Sequence, residues 1–347
     1  MAAMSIGIAG AGLLGRLLAW QLSGAGHRVT VFDPAAGPLE RGAAAWTAAG
    51  MLSPLAELEC ASTDLARLGL RSLVLWPRLL TGLPQPVDLR CEGSLLLAHG
   101  ADLGSAKRLI DLLTAKAPEG HRPEPLTMLQ LQSLEPGVQG PAHAWLLRGE
   151  GQIHTVQALQ ALAAGATARG TRWRWGQAVE EILPGRIDSE RFDWVFDVRG
   201  LGARPTLPLR GVRGEIFWLH APGVTLHRPL RLLHPRWRVY LVPRPGDLIV
   251  VGASEIESED RSPVSVRSTL ALLSSAHSVM PGLAEARIVH SEANLRPALP
   301  DNLPQLHTQP GLTRINGLFR HGWLLAPALA EQALAALDLS PIALSPP

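Results

Sequence analysis

One short segment constrains this chain more than any other: Gly10-Ala11-Gly12-Leu13-Leu14-Gly15. An apolar run from Ser5 to Ala9 precedes it. Leu13, Leu14, Leu17, Leu18 and Leu22 then recur at helical spacing, until Gly24 and Gly26 stop the helix. Val29 to Phe32 reads as a second buried strand, ending at Asp33. A strand, a glycine turn, a helix and a second parallel strand within about 30 residues form the βαβ opening of a dinucleotide-binding fold. In that opening Gly10 allows the tight turn, Gly12 lets a pyrophosphate approach the backbone, and Gly15 lets the helix pack on the sheet. The helix N-terminus offers unpaired N–H groups and the positive end of its dipole to phosphate. Asp33, 23 residues after Gly10, is placed to accept hydrogen bonds from the adenosine ribose. An acidic residue there argues against a 2′-phosphate and leaves NAD and FAD both open.

Further along, Asp64 to about Leu80 has helical spacing, and Thr155 opens another helix punctuated by Gly165 and Gly170. Trp173, Trp175 and Ala178-Val179 read as extended. Trp194 to Val198 is a buried strand leading into the glycine turn Arg199-Gly200-Leu201-Gly202. Val239 to Val242 and Leu248 to Ala253, joined by Pro245-Gly246-Asp247, form a hairpin. Ser262-Pro263 marks a helix start running to about Val279, and Leu324 to Leu337 is helical. The tail from Ser340 to Pro347 reads as frayed.

The chain has 347 residues, a length fitting about two domains. A net charge of +2 and 18% charged residues place it among globular proteins and give no general reason to expect nucleic acid. Arg172-Trp173-Arg174-Trp175 and Arg236-Trp237-Arg238 resemble base-stacking platforms, but they fit strands with one wet and one buried face. Cys60 and Cys91 form no metal spacing and are expected as reduced, partly buried thiols; no metal site is expected. The apolar run from Ile6 to Trp20 lacks a preceding basic region and is interrupted by Arg16. Export and membrane insertion are therefore not expected, and the expected location is the cytoplasm. A homo-oligomer is the default expectation.

Four segments resemble one known family. Thr47-Ala48-Ala49-Gly50-Met51-Leu52 is a run of small residues able to lie close to a flat ring system. Tyr240-Leu241-Val242-Pro243-Arg244 with Val251-Gly252-Ala253-Ser254 is similar to a substrate-domain hairpin. Leu295-Arg296-Pro297 with Pro300-Asp301-Asn302-Leu303-Pro304 is similar to a carboxylate-binding arginine motif. Asn316 to Pro327 is similar to a C-terminal flavin-binding turn and helix. Together they resemble the FAD-dependent D-amino-acid oxidase superfamily, in its glycine oxidase branch associated with thiamine biosynthesis.

The resemblance implies an α/β fold: a Rossmann-type FAD-binding domain (1–85, 146–210, 290–347) and a discontinuous α+β substrate domain with an antiparallel sheet (86–145, 211–289). It implies noncovalent FAD held by Gly10, Ala11, Gly12, Leu13, Leu14, Gly15, Asp33, Thr47, Ala48, Ala49, Gly50, Met51, Val179, Gly200, Gly202, Phe319, Arg320, His321, Gly322, Trp323, Leu324 and Leu325. Arg296 is expected to hold the substrate carboxylate with two parallel hydrogen bonds. Tyr240, the only tyrosine, is expected across the substrate, with Met51 and Arg320 beside the reacting atoms. His321 is expected to be structural rather than a base. Arg238 shares a strand face with Tyr240 and is expected to shape specificity, admitting a second acidic group.

The implied chemistry is hydride transfer from the α-carbon of a small amino acid to the flavin. The imine hydrolyses to an oxo acid and ammonia, or feeds thiazole formation, and dioxygen is reduced to hydrogen peroxide. A dehydrogenase with another electron acceptor, a flavin-binding protein without turnover and a nicotinamide dehydrogenase are the alternatives. Asp33 departs from the glutamate more usual in this superfamily, and Asn294 stands where small residues are common.

Overall fold

The computed structural model describes residues 3–234, 238–337 and 339. In chain order the first elements are β1 (Ser5–Ala9), α1 (Leu13–Gly24), β2 (Arg28–Asp33), β3 (Met51–Leu52), α2 (Thr63–Leu80), β4 (Leu89–Arg90) and β5 (Ser94–Ala98). Then come α3 (Leu103–Lys116), β6 (Glu124–Leu126), α4 (Met128–Leu134), β7 (His143–Leu147), β8 (Gly151–Ile153), α5 (Thr155–Ala168) and β9 (Arg172–Trp175). Three short strands follow, β10 (Ile182–Leu183), β11 (Arg186–Ile187) and β12 (Glu190–Arg191), and then β13 (Trp194–Asp197). The rest comprises β14 (Arg210–His220), β15 (Leu230–Leu233), β16 (Arg238–Arg244), β17 (Leu248–Gly252), α6 (Val266–Val279), β18 (Arg287–Ala298), β19 (Gln305–Gln309), β20 (Leu312–Asn316) and α7 (Gly322–Ala335).

Six strands form the dinucleotide sheet, in the order β19-β20-β13-β1-β2-β9. All its pairings are parallel except β19 with β20. Such a sheet must be covered on both faces. One face, through Ile6 and Ile8, packs with α1, α2, α5 and α7 in a single core containing Leu17, Leu18, Trp20, Trp76, Leu159 and Leu325. The other, through Phe32, Val195 and Leu312, is covered by Ile182 and Ile187 of the small β10-β11-β12 sheet.

The second layer is an eight-stranded sheet, ordered β18-β14-β17-β16-β15-β5-β7-β6. Alternation along β16 sets its two faces. Val239 and Leu241 join the core under α4 and α6, while Tyr240 and Val242 turn to the opposite face, against Ala49 and Met51. The expected domain boundaries at 146 and 290 cut through β7 and β18, whose ladders continue within this sheet. Arg296 therefore stands on the same sheet as Tyr240. A fourth sheet, β3-β8-β4, ties the small-residue segment down: Met51 pairs with Gln152, and Gln152 with Arg90. The Arg244 guanidinium strengthens this join, donating to the Ala49 and Ile153 carbonyls. Burial lowers its pKa to about 10.

Some local expectations are corrected. The helix expected from Ser262 starts at Val266, capped by Ser265, whose hydroxyl accepts the Ser268 N–H. Ser262 spends its hydroxyl on Asp260 in the preceding turn, at 2.6 Å. Ala178-Val179 lies outside any strand. The last helix begins and ends two residues earlier than expected, and both cysteines are exposed. Arg172 and Arg174 are exposed while Trp173 and Trp175 are half-buried and stacked, as the wet-face reading requires. Arg236, Trp237 and the tail from Ser340 lie outside the described residues.

Candidate active site

A single cavity of about 1090 Å³ runs from the glycine turn to the exposed face of the large sheet. It is slightly larger than the ~300–1,000 Å³ usual for ligand sites.

At one end the turn is shaped by what it lacks. Gly10 has φ 104°, a left-handed conformation, and a Cβ there would meet the Val198 carbonyl oxygen at 2.7 Å. A Cβ on Gly15 would collide with the Gly10 carbonyl, so Gly15 lets helix and turn close up and does not itself line the cavity. Gly12 has nothing nearer than Ala43 at 3.7 Å, leaving open the space a ligand needs. The N-terminus of α1 has neither a side-chain cap nor an acidic residue in its first turn, so its N–H groups are available. Asp33 Oδ2 accepts the Ala11 N–H at 2.6 Å and Oδ1 accepts that of Ala35 at 2.9 Å, with the carboxylate on the cavity wall. Arg16, buried beneath this end, donates to the carbonyls of Ala11, Leu159 and Pro38 and lies 5.7 Å from the Trp175 ring.

Thr47, Ala48, Ala49, Gly50 and Met51 form the middle of the wall, with Val179, Gly200 and Gly202 facing them. Arg199, on that side, is held by Asp197 and by the Val179 carbonyl. The turn Leu318–His321 then delivers the N-terminus of α7 to the cavity, with Phe319 in the left-handed region at φ 49°. Like α1, α7 has no side-chain cap and no acid in its first turn. Two helix N-termini thus face one cavity, an arrangement that stabilises negative charge at both ends. Gly322, Trp323 and Leu324 line it, while Leu325 is buried in the core behind.

Tyr240, Arg238, Arg296 and Arg320 converge at the far end. The Tyr240 ring lies over Gly252, where a Cβ would come within 2.8 Å of the hydroxyl oxygen. Burial pushes its hydroxyl pKa up. The Arg296 guanidinium lies across β14 above Gly214, where any side chain would collide with it. It donates to the Ser254 and Arg213 carbonyls at 3.1 and 3.4 Å, and burial lowers its pKa.

The sequence reading missed the carboxylate at the centre of this end. Glu57, 8% exposed, lies in a 3-10 turn six residues beyond Met51. Its Oε1 accepts from Arg231 at 3.0 Å, and its Oε2 from Arg320 at 2.8 Å and His321 Nε2 at 2.9 Å. Burial alone would raise its pKa. Arg231, the His321 hydrogen bond and Arg320 outweigh that and hold it well below the usual carboxylate range. Arg320 also meets Glu255 at 3.2 Å. Arg238 is exposed and meets Glu59 and Cys60 Sγ, each at 3.1 Å. Only two acids, Glu57 and Glu59, in the otherwise apolar stretch after Met51 hinted at this central carboxylate.

A phosphate cradle joined through one cavity to an arginine-lined pocket defines the class, a dinucleotide-dependent enzyme. Comparison with known proteins narrows the class. A profile described as FAD-dependent oxidoreductase matches residues 5–337, and the chain belongs to that family. It is 39% identical over 337 residues to a Rhizobium etli protein described as a thiamine biosynthesis oxidoreductase, ThiO, covering 96% of each chain. Identity to the glycine oxidase of Geobacillus kaustophilus is 28% over 374 residues, covering 98% of this chain and 96% of the other. The crystal structure of glycine oxidase from the same organism superposes with a TM-score of 0.83 at 26% identity, over 98% of this chain and 95% of that one. The cofactor is therefore FAD, and the cradle fits it. Among the described residues no helix is long and apolar enough to cross a membrane.

If Asp33 holds the ribose, Asp33→Ala removes charge-assisted hydrogen bonds of about 1.5–3 kcal/mol. The FAD dissociation constant, measured by fluorescence titration of the apoprotein, is then expected to rise roughly 10- to 150-fold.

Proposed function

We propose that the chain oxidises the carbon–nitrogen bond of a small amino acid, one of glycine, sarcosine or a small D-amino acid, to the imine. The observation that carries this reading is Arg296. Among the described residues its hydrogen bonds go only to carbonyls, so its charge is available to a substrate carboxylate in the cavity that Tyr240 also lines. When bound, FAD supplies the acceptor for the hydride leaving the α-carbon. The protein's part is to anchor the carboxylate on Arg296 and Tyr240 and to hold the α-carbon against the segment Ala49–Met51. The amine proton leaves to solvent, and water hydrolyses the imine to the oxo acid and ammonia.

The names of the relatives support glycine as substrate and thiamine biosynthesis as the setting, where the imine would feed thiazole formation. Dioxygen is the proposed final acceptor, giving hydrogen peroxide. FAD is proposed to be noncovalent, in keeping with a cavity lined by neither cysteine. A cytoplasmic location and a homo-oligomer complete the reading, with no nucleic acid or membrane partner.

The test is anaerobic mixing of the yellow holoenzyme with glycine, sarcosine, D-alanine and D-proline. Bleaching of the flavin's visible absorbance by at least one is expected, with colour and peroxide returning on admission of air. A flavin that none of them reduces would overturn the reading, and reoxidation only by a dye would replace oxygen with another acceptor.

A further inference from the structure

Four guanidinium groups, of Arg231, Arg238, Arg296 and Arg320, crowd the substrate end of the cavity. Three carboxylates answer them. Glu57 takes Arg231 and Arg320, Glu255 also takes Arg320, and Glu59 takes Arg238. Among the described residues, Arg296 alone of the four has no carboxylate within salt-bridge distance. The inner end therefore carries one unanswered positive charge, the complement of one substrate carboxylate. Arg261 and Arg267 lie on the exposed outer rim, where water screens them.

We infer that Glu57, Glu59 and Glu255 tune this cavity to substrates carrying a single carboxylate, and that Glu59 in particular masks an arginine able to hold a second. The inference deepens the amino-acid oxidation reading and takes its biological meaning from it. Arg238 stands two residues before Tyr240 on β16 and lines the same cavity. Two residues along a strand span roughly 7 Å, within reach of the far carboxylate of a four-carbon diacid once arginine's flexible stem is added. In the structure that charge is spent on Glu59. The two side chains of this pair are 46% and 26% exposed, against 15% and 11% for Arg320 and Glu57. The outer pair is thus the weaker and the more readily unmasked. Glu57 cannot be relieved in the same way, because Arg231, Arg320 and His321 all depend on it.

The test titrates FAD-loaded protein with propionate and succinate and follows the flavin difference spectrum. Wild type is expected to bind propionate at least tenfold more tightly. Glu59→Gln should close that gap by about tenfold, equivalent to about 1.4 kcal/mol, chiefly by tightening succinate. Adding Arg238→Gln to Glu59→Gln should undo the gain, which a merely structural role for Glu59 would not predict. Arg238→Gln alone, leaving Glu59 unanswered, should weaken both ligands and retain the preference for propionate. Equal binding of the two acids by wild type, an unchanged ratio in Glu59→Gln, or a gain surviving in the double variant would each overturn the inference. Selective binding by a protein whose flavin no amino acid reduces would sink the oxidation reading and leave the charge selection standing.

Discussion

Replacing Arg296 with alanine is expected to lower kcat/KM for the amino acid that reduces the flavin by roughly 30- to 4,000-fold. The figure follows from the cost of truncating one partner of an enclosed charge pair, about 2–5 kcal/mol, at about 1.4 kcal/mol per tenfold. The loss should fall mainly on KM, since the proposed grip on the carboxylate would act in ground and transition states alike, with a smaller loss in kcat from poorer aim of the α-carbon. Arg296→Lys should recover little. It keeps the charge but not the planar pair of donors, and a lysine ammonium would have to replace a guanidinium lying flat over Gly214. Steady-state kinetics with the reducing amino acid check this. A lysine variant within threefold of wild type would mean that point charge suffices and that no bidentate grip exists.

The second large effect is on stability. Glu57→Gln removes one charge and strands three groups that lean on it: Arg231, Arg320 and His321. Breaking a buried ionic network from one side costs about 3–5 kcal/mol, readable in urea unfolding of the holoprotein. The same residue fixes a pH dependence. Its carboxyl is held well below its ordinary 4.5 in the folded protein, so the folded state binds that proton less readily than the unfolded chain. The stabilisation is fully present above the unfolded value and is lost as pH falls through the folded one. Wild type should therefore lose stability faster than Glu57→Gln below about pH 4.5, the two curves converging on the acid side. Parallel curves would assign the acid limb to other carboxylates.

These two residues also separate what the chain discloses from what it hides. Arg296 and Tyr240 stand in short motifs, and the glycine turn with Asp33 spans fewer than thirty residues. Local pattern carries such features, because turn geometry and strand alternation are settled by neighbours. Glu57 acquires its meaning only through Arg231, 174 residues away, and His321, 264 residues away. No spacing rule reaches that far. The misplacement of the α6 cap has a smaller cause of the same kind. Ser262 and Ser265 are equally good caps on paper, and Asp260 decides between them by taking the Ser262 hydroxyl. Arg238 shows the limit of face-sharing arguments. Its place on β16 was readable, its occupation by Glu59 was not.

The pairing of the dinucleotide sheet has a consequence in time. Ala9 pairs with Asp197, and Asp197 with Arg314, so the strands flanking the phosphate turn come from the beginning, middle and end of the chain. During synthesis β1, α1 and β2 emerge early, yet β1 lacks its β13 neighbour until more than half the residues have been made. β20 and the α7 N-terminus arrive only some 120 residues later still. The nascent chain must keep the open edge of an apolar parallel strand, paired only with β2, from pairing elsewhere throughout that interval. Flavin capture is then among the last events of maturation, and a polypeptide stalled short of residue 312 would offer the cofactor a turn without a site.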